Sequence, residues 1–152
     1  MATAASGRTP AHLWIVGILS LLWNCFGAYD YLMTRTRGAE YIATTMPGVD
    51  PNAAMAWINS MPLYAQIGWG LGVWLGLLGS ILLLMRSRWA TASFAISLLG
   101  ALLSIGYQLV LAPPLPGSTG GAMTKVMPIV ILVVALALLL YARAMEKKGV
   151  LR

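Results

Sequence analysis

The chain has 152 residues, 59% of them hydrophobic and only 9% charged. A soluble domain carries about 25% charged residues, so a fold in water would lack the polar surface it needs, and a soluble domain is excluded. The formal net charge of +6 is concentrated at the ends of apolar runs, where basic residues anchor helices. No basic patch is interleaved with aromatics, so nucleic acid is not an expected partner.

The first apolar run, about 12–33, follows Arg8. It outlasts a signal-peptide core and no A-x-A site follows it, so the expectation is a retained transmembrane helix. This run carries Asn24, Cys25 and Asp30. Cys25 is the only cysteine, which rules out an intrachain disulfide and a cysteine zinc site; it reads as a small packing residue. Ser20, Asn24, Gly27 and Tyr31 share a narrow sector of the helix, with Asp30 at its side. Counted inward from Met33 at 1.5 Å per residue, Asn24 lies about 13 Å deep. That depth is near the midplane of a hydrocarbon core about 30 Å thick. An asparagine there requires a partner on a neighbouring helix. Asp30 is about one turn from the outer surface and is expected to be ionised, either hydrated or paired with Arg35 or Arg37.

The segment 34–61 is the one sizeable extramembrane piece. Asp50-Pro51-Asn52 reads as a helix start, with Asp50 capping free amides and Pro51 at the first helical position. Ala54, Met55 and Ile58 then share a face, which fits a short helix lying on the outer membrane surface, with a lid over the bundle as the less favoured alternative.

A second span is expected at about 62–85. Gly68, Gly72, Gly76 and Ser80 recur every fourth residue and form a smooth stripe of small residues, which lets another helix backbone approach closely. That partner is either a helix of the same bundle or one of another subunit. The turn Arg86-Ser87-Arg88 leads to a third span at about 89–112, whose Ser93, Ser97, Gly100 and Ser104 form a comparable ridge, so the two helices are expected to pack directly. The Pro/Gly-rich linker PPLPGSTGGAMTK has no catalytic or phosphate-binding signature. A fourth span, expected to face lipid, follows at about 127–142. The fold class expected is therefore all-α, a single integral membrane four-helix bundle over 1–152.

Four spans place both ends of the chain on the side of the Arg86-Ser87-Arg88 turn. That side holds Arg8, Arg86, Arg88, Arg143, Lys147, Lys148 and Arg152, against Arg35, Arg37 and Lys125 opposite. The positive-inside rule then puts both termini in the cytoplasm. Trp14 and Trp89 fall near the inner interface and Trp57 near the outer one, ordinary positions for amphipathic rings.

Tyr64 and Gln66 open the second span, and Tyr107 and Gln108 close the third, at the level of Asp30. An outward-facing polar cavity is one expectation: Asn24 at its floor, with Asp30, Tyr31, Gln66, Tyr107 and Gln108 around it. The other is a set of interhelical hydrogen-bond pairs without a ligand. His12 is the sole histidine and reads as an interfacial side chain. It has no nucleophile beside it, so neither a catalytic group nor a metal or cofactor site is expected.

The segments LLWNCFGAYDYLMT and WGLGVWLGLLGSILLLMRSRWATASFAISLLGALLSIGYQ resemble those of small proteobacterial four-span membrane proteins. The marks are Trp23-Asn24 with Gly27 and Tyr31, Gly79-Ser80, Arg86 to Trp89, and Tyr107-Gln108. Members of that group are described as hypothetical membrane proteins or as sugar transporters. The resemblance implies a four-helix inner-membrane protein and supplies no catalytic or binding residues. The function expected is that of a non-enzymatic inner-membrane protein embedded in the lipid bilayer. It would act through helix–helix contacts, as a homo-oligomer or an accessory to other membrane proteins. The alternative is a transporter taking a small, sugar-like solute through the polar cavity.

Overall fold

A computed structural model of the chain describes residues 9–118 and 122–152. Arg8 and residues 119–121 of the Pro/Gly-rich linker lie outside the described residues. Six helices are found among those described: α1 (Ala11–Arg37), α2 (Ala39–Thr45), α3 (Pro51–Asn59), α4 (Leu63–Leu84), α5 (Trp89–Val110) and α6 (Ala122–Lys147). Four of them, α1, α4, α5 and α6, are long and apolar enough to cross a membrane. The protein is an all-α, four-helix membrane-spanning bundle with two short helices between the first and second spans.

α1 runs four residues beyond Met33, the expected end, to Arg37. Thr34 to Arg37 are compatible with helix, and the stop comes at Gly38, whose φ of 53° is a conformation that glycine adopts without steric cost. α6 likewise exceeds the expected span at both ends. α2 is the element the apolar pattern did not announce. Gly38 turns the chain, and the Gly38 carbonyl accepts the Ile42 amide at 3.1 Å. α3 starts as its sequence dictates: the Asp50 carboxylate accepts the amides of Asn52 at 2.9 Å and Ala53 at 3.3 Å. Ala54 is buried, with Met55 and Ile58 half-buried beside it. Trp57 reaches across the end of the bundle opposite the Arg86–Arg88 turn, donating its indole N–H to the Pro113 carbonyl at 2.8 Å.

The spans pack in the order α1–α4–α5–α6, and the α4–α5 pair is the most intimate. Lipid tails are as apolar as leucine, so helices associate in a bilayer through close van der Waals contact and hydrogen bonds. The small residues provide both. A Cβ placed at Gly68 would lie 2.6 Å from the Gly100 carbonyl oxygen, and one at Gly100 would lie 2.6 Å from the Gly68 carbonyl oxygen. With the backbones this close, the Ser97 hydroxyl donates to the Gly72 carbonyl at 2.6 Å, and Ser93 to the Leu75 carbonyl at 2.8 Å. Each carbonyl has a second lone pair available beyond its helical bond.

At the Arg86–Arg88 end all four spans meet in one core of Leu13, Leu83, Ala90, Phe94, Ala142 and Met145, closed by Val150 and Leu151. Two helix ends make this closure. α4 ends with Arg86 donating its amide to the Leu83 carbonyl and Ser87 to that of Leu82; α6 ends with the same pair of bonds, Gly149 to Glu146 and Val150 to Met145. This is the Schellman arrangement, which requires a left-handed residue after the helix. Gly149 meets that requirement with φ 69°, whereas Arg86 adopts φ 58° with a side chain. The left-handed conformation costs a non-glycine residue roughly 1–2 kcal/mol. The 150–152 segment offsets this cost: Arg152 donates to the Arg86 carbonyl at 2.7 Å, and the Arg88 amide donates to that of Arg152 at 2.9 Å. The Arg86 Nε adds a bond to the Val150 carbonyl at 3.3 Å.

Gly68→Ala and Gly100→Ala are each expected to destabilise the protein by about 1–3 kcal/mol, because the added methyl meets facing backbone that cannot move aside. Gly106→Ala, where no atom lies within 4 Å of the added carbon, is expected to be neutral or slightly stabilising. Unfolding curves of the purified variants check this, and equal stability of all three would contradict the contact.

Candidate functional site

Asn24 lies at the centre of the 27-residue α1, where an unpartnered amide would be costly. Its Nδ2 donates to the Ser20 carbonyl one turn back at 2.9 Å and to the Ser80 hydroxyl of α4 at 3.0 Å. Ser80 in turn donates its one proton to the Gly76 carbonyl at 3.0 Å. The Ser20 hydroxyl, 2.5 Å from Ser80 Oγ, is therefore the donor of that contact. Ser80 thus uses its proton and both lone pairs, the full capacity of a hydroxyl. Gly76 completes the fit: a Cβ there would lie 2.5 Å from Asn24 Oδ1.

The other candidates fall into separate groups. Asp30 accepts a hydrogen bond from the Tyr41 hydroxyl of α2 at 2.9 Å. Of the two outcomes expected for Asp30, hydration or pairing with Arg35 or Arg37, neither arginine pair forms among the described residues: the continuous helix carries Arg35 to another sector and places Arg37 two turns further along. Arg35 instead donates to Gln66 Oε1 at 3.2 Å, with its guanidinium 5.0 Å from the Trp69 ring and 5.6 Å from the Tyr31 ring. Tyr31 packs edge-on against Trp69 at 4.8 Å and Trp74 at 6.1 Å. Gln66 Nε2 donates to the Met61 carbonyl at 2.9 Å, which fixes the start of α4. Tyr107 stacks edge-on with Tyr64 at 6.1 Å, while Gln108 donates to Ser104 Oγ at 3.3 Å within α5. Arg35 thus unites Tyr31 and Gln66, and the remaining candidates stand apart. Two recesses of about 460 and 280 Å³ lie between α5 and α6, and none of Asn24, Asp30, Tyr31, Gln66, Tyr107 or Gln108 lines either of them.

The packing stripe is also divided. Gly68 and Gly72 face α5; Gly76 meets both Asn24 of α1 and Ser97 of α5; Ser80 bonds to α1. Successive fourth residues advance about 40° around a helix, so the stripe passes from one neighbour to the other along α4. His12 Nδ1 lies 2.6 Å from the Tyr141 hydroxyl, which joins α1 to α6. No group of three or more His, Cys, Asp or Glu side chains comes together among the described residues.

Tyr41 and Trp69 are the site residues that the sequence did not suggest. Trp69 carried a signal, one helical turn after Gln66, whereas Tyr41 had none without knowledge of α2. The Tyr41 phenol is pushed up to about 12, chiefly by burial and further by its hydrogen bond to Asp30 and the charge there. Comparison with protein-family models, curated proteins and solved structures finds no match to this chain.

Replacing Asn24 by Leu removes one interhelical hydrogen bond, and a loss of about 0.6–2 kcal/mol is expected. A double-mutant cycle with Ser80→Ala should then give a coupling of the same order; additive effects would show that the two side chains do not interact. In the native protein the Tyr41 phenol keeps its proton above the ordinary value of 10.0, so its contribution is full below pH 10 and is lost as pH rises towards 12. Absorbance titration at 295 nm of the native protein minus Tyr41→Phe should isolate one phenol ionising near 12; a midpoint near 10 would contradict both the burial of the phenol and its Asp30 contact.

Proposed function

We propose that this is a non-enzymatic, multi-pass protein of a bacterial inner membrane, acting laterally through helix contacts as a homo-oligomer or an accessory to other membrane proteins. The observation that carries the reading is the closed Ser20–Asn24–Ser80 cluster: the deepest polar side chain of α1 is engaged in holding α1 to α4. The glycine stripe is occupied within the chain, which removes it as a surface for another subunit. Lateral association therefore falls to the outward face of α1, where Ile15, Ile18, Leu22, Phe26 and Tyr29 are exposed. Their steps of three and four residues form the kind of seam along which membrane helices pair.

Both ends of the described chain and the Arg86–Arg88 turn lie at one end of the bundle, where Leu13 and Leu151 share a core. With Arg86, Arg88, Arg143, Lys147, Lys148 and Arg152 at that end, the positive-inside rule supports cytoplasmic termini. The resemblance to small proteobacterial four-span proteins implies an inner-membrane setting and does not bear on the side of the termini. Transport of a small sugar-like solute receives less support, since Asn24, Asp30 and Gln108 make hydrogen bonds in three different places.

A photo-crosslinking amino acid at position 26, exposed on α1, should yield a protein adduct in intact membranes. The same group at position 94, which is 2% exposed, should yield none. An adduct of twice the chain's mass means a homo-oligomer and one of another mass an accessory role; lipid adducts alone at position 26 would refute lateral association.

A further inference from the structure

The two recesses between α5 and α6 form one seam, with consecutive parts that differ sharply in chemistry. The first, about 460 Å³, is lined by Arg88 just before α5, by Trp89, Thr91 and Ala95 of α5 and by Arg143 and Glu146 of α6. The second, about 280 Å³, is lined by Leu98, Leu102, Ile129, Leu132, Val133 and Leu136. One helical turn separates Ala95 from Leu98, and Leu139, which lines the first recess, from Leu136. The seam therefore runs from a charged mouth at the Arg86–Arg88 end into a purely apolar channel between the same two helices. From Arg88 to Leu102 it covers about 21 Å at 1.5 Å per residue. That length matches one leaflet, half of a bilayer of roughly 40–45 Å including headgroups.

Along this seam α6 packs on α5 more loosely than α4 does. No glycine or serine of α6 faces α5 there, and only 6% of the most apolar stretch of α6 is buried. A gap of this kind in a bilayer is filled by a hydrocarbon chain rather than water, since water there would lose its hydrogen-bond partners. The mouth adds a charge requirement. Two guanidinium groups face one carboxylate, and among the described residues neither Arg143 nor Arg88 forms an ion pair with Glu146. Arg88 lies over the Trp89 ring at 5.9 Å, and the Thr91 hydroxyl oxygen is buried with no hydrogen-bond partner.

We propose that this seam binds one anionic phospholipid, its phosphate between Arg88 and Arg143 and an acyl chain along Leu98, Leu102, Leu132 and Leu136. Planar guanidinium groups donate two parallel bonds to a phosphate, and basic pockets between spans attract acidic headgroups. Glu146 borders the headgroup and favours one with hydroxyl donors beyond the phosphate, which makes dioleoyl phosphatidylglycerol the probe of choice.

The full chain, purified in detergent and delipidated, is examined by native mass spectrometry with dioleoyl phosphatidylglycerol, with dioleoyl phosphatidylcholine, or with glycerol 3-phosphate. Phosphatidylglycerol should be retained about tenfold more strongly than phosphatidylcholine, and glycerol 3-phosphate, which lacks acyl chains, should not be retained. Arg88→Gln with Arg143→Gln should abolish the preference. Lys147→Gln with Lys148→Gln, the same loss of charge outside the seam, should preserve it. Leu102→Trp, which fills the channel and leaves the charges intact, should weaken retention of both lipids. Equal retention of the two lipids, or equal loss of preference in the arginine and lysine pairs, would overturn the site. Retention of glycerol 3-phosphate as strong as that of phosphatidylglycerol, or unchanged lipid retention in Leu102→Trp, would overturn the role of the channel.

Discussion

The structure depends on one contact, the approach of the α4 and α5 backbones at Gly68 and Gly100. A bilayer gives two apolar helices no hydrophobic reason to prefer each other over lipid, so their attraction must come from the number and closeness of atoms in contact. Two facing glycines bring the helix axes near enough for serine hydroxyls on α5 to reach carbonyls on α4. Ser93 and Ser97 then donate across the interface rather than back along their own helix. The result is a hairpin of α4 and α5 that serves as the platform for the other two spans.

How α1 joins that platform follows from helix geometry. A stripe of every fourth residue precesses, so α4 presents Gly68 and Gly72 to α5 and, two turns further, Gly76 and Ser80 to α1. The same run of small residues thus holds two neighbours. Asn24 fits where the stripe changes partner, and Gly76 is small enough for both the Asn24 amide and the Ser97 hydroxyl to come close. The polar cluster and the glycine stripe, which look like two features along the sequence, are one joint in space.

The spans were legible in the sequence because the number and length of apolar runs follow directly from bilayer thickness. So was the cap of α3, since Asp50 and Pro51 act on amides two or three residues away. The place of Asn24 midway along its helix was legible too. The identity of its partner was not, because that depends on the rotation of α1 against α4, which no local pattern encodes. Asp30 shows the same limit. Its closeness to Arg35 and Arg37 along the chain left hydration or pairing open, but a continuous helix sends Arg35 to Gln66 and Trp69, and the unforeseen α2 brings Tyr41 to the carboxylate. Interactions within one turn were readable, and those that depend on how helices are rotated were not.

Packing weakens from α4–α5 outward, and this gradient explains the division of roles within the chain. α6 has an internal proline, Pro128, which lacks the amide for a helical bond and loosens the helix locally. It has no small-residue ridge against α5. It is held instead at its other end, through Tyr141 to His12 and through the return of Val150 to Arg152 onto the α4–α5 turn. A helix anchored at one end and bordered by a recess along its length has room to yield to whatever occupies that recess. The glycine-packed pair cannot do so without losing the backbone contact that holds it together. Adaptability therefore belongs to the α5–α6 seam, and rigidity to the joint of α1, α4 and α5.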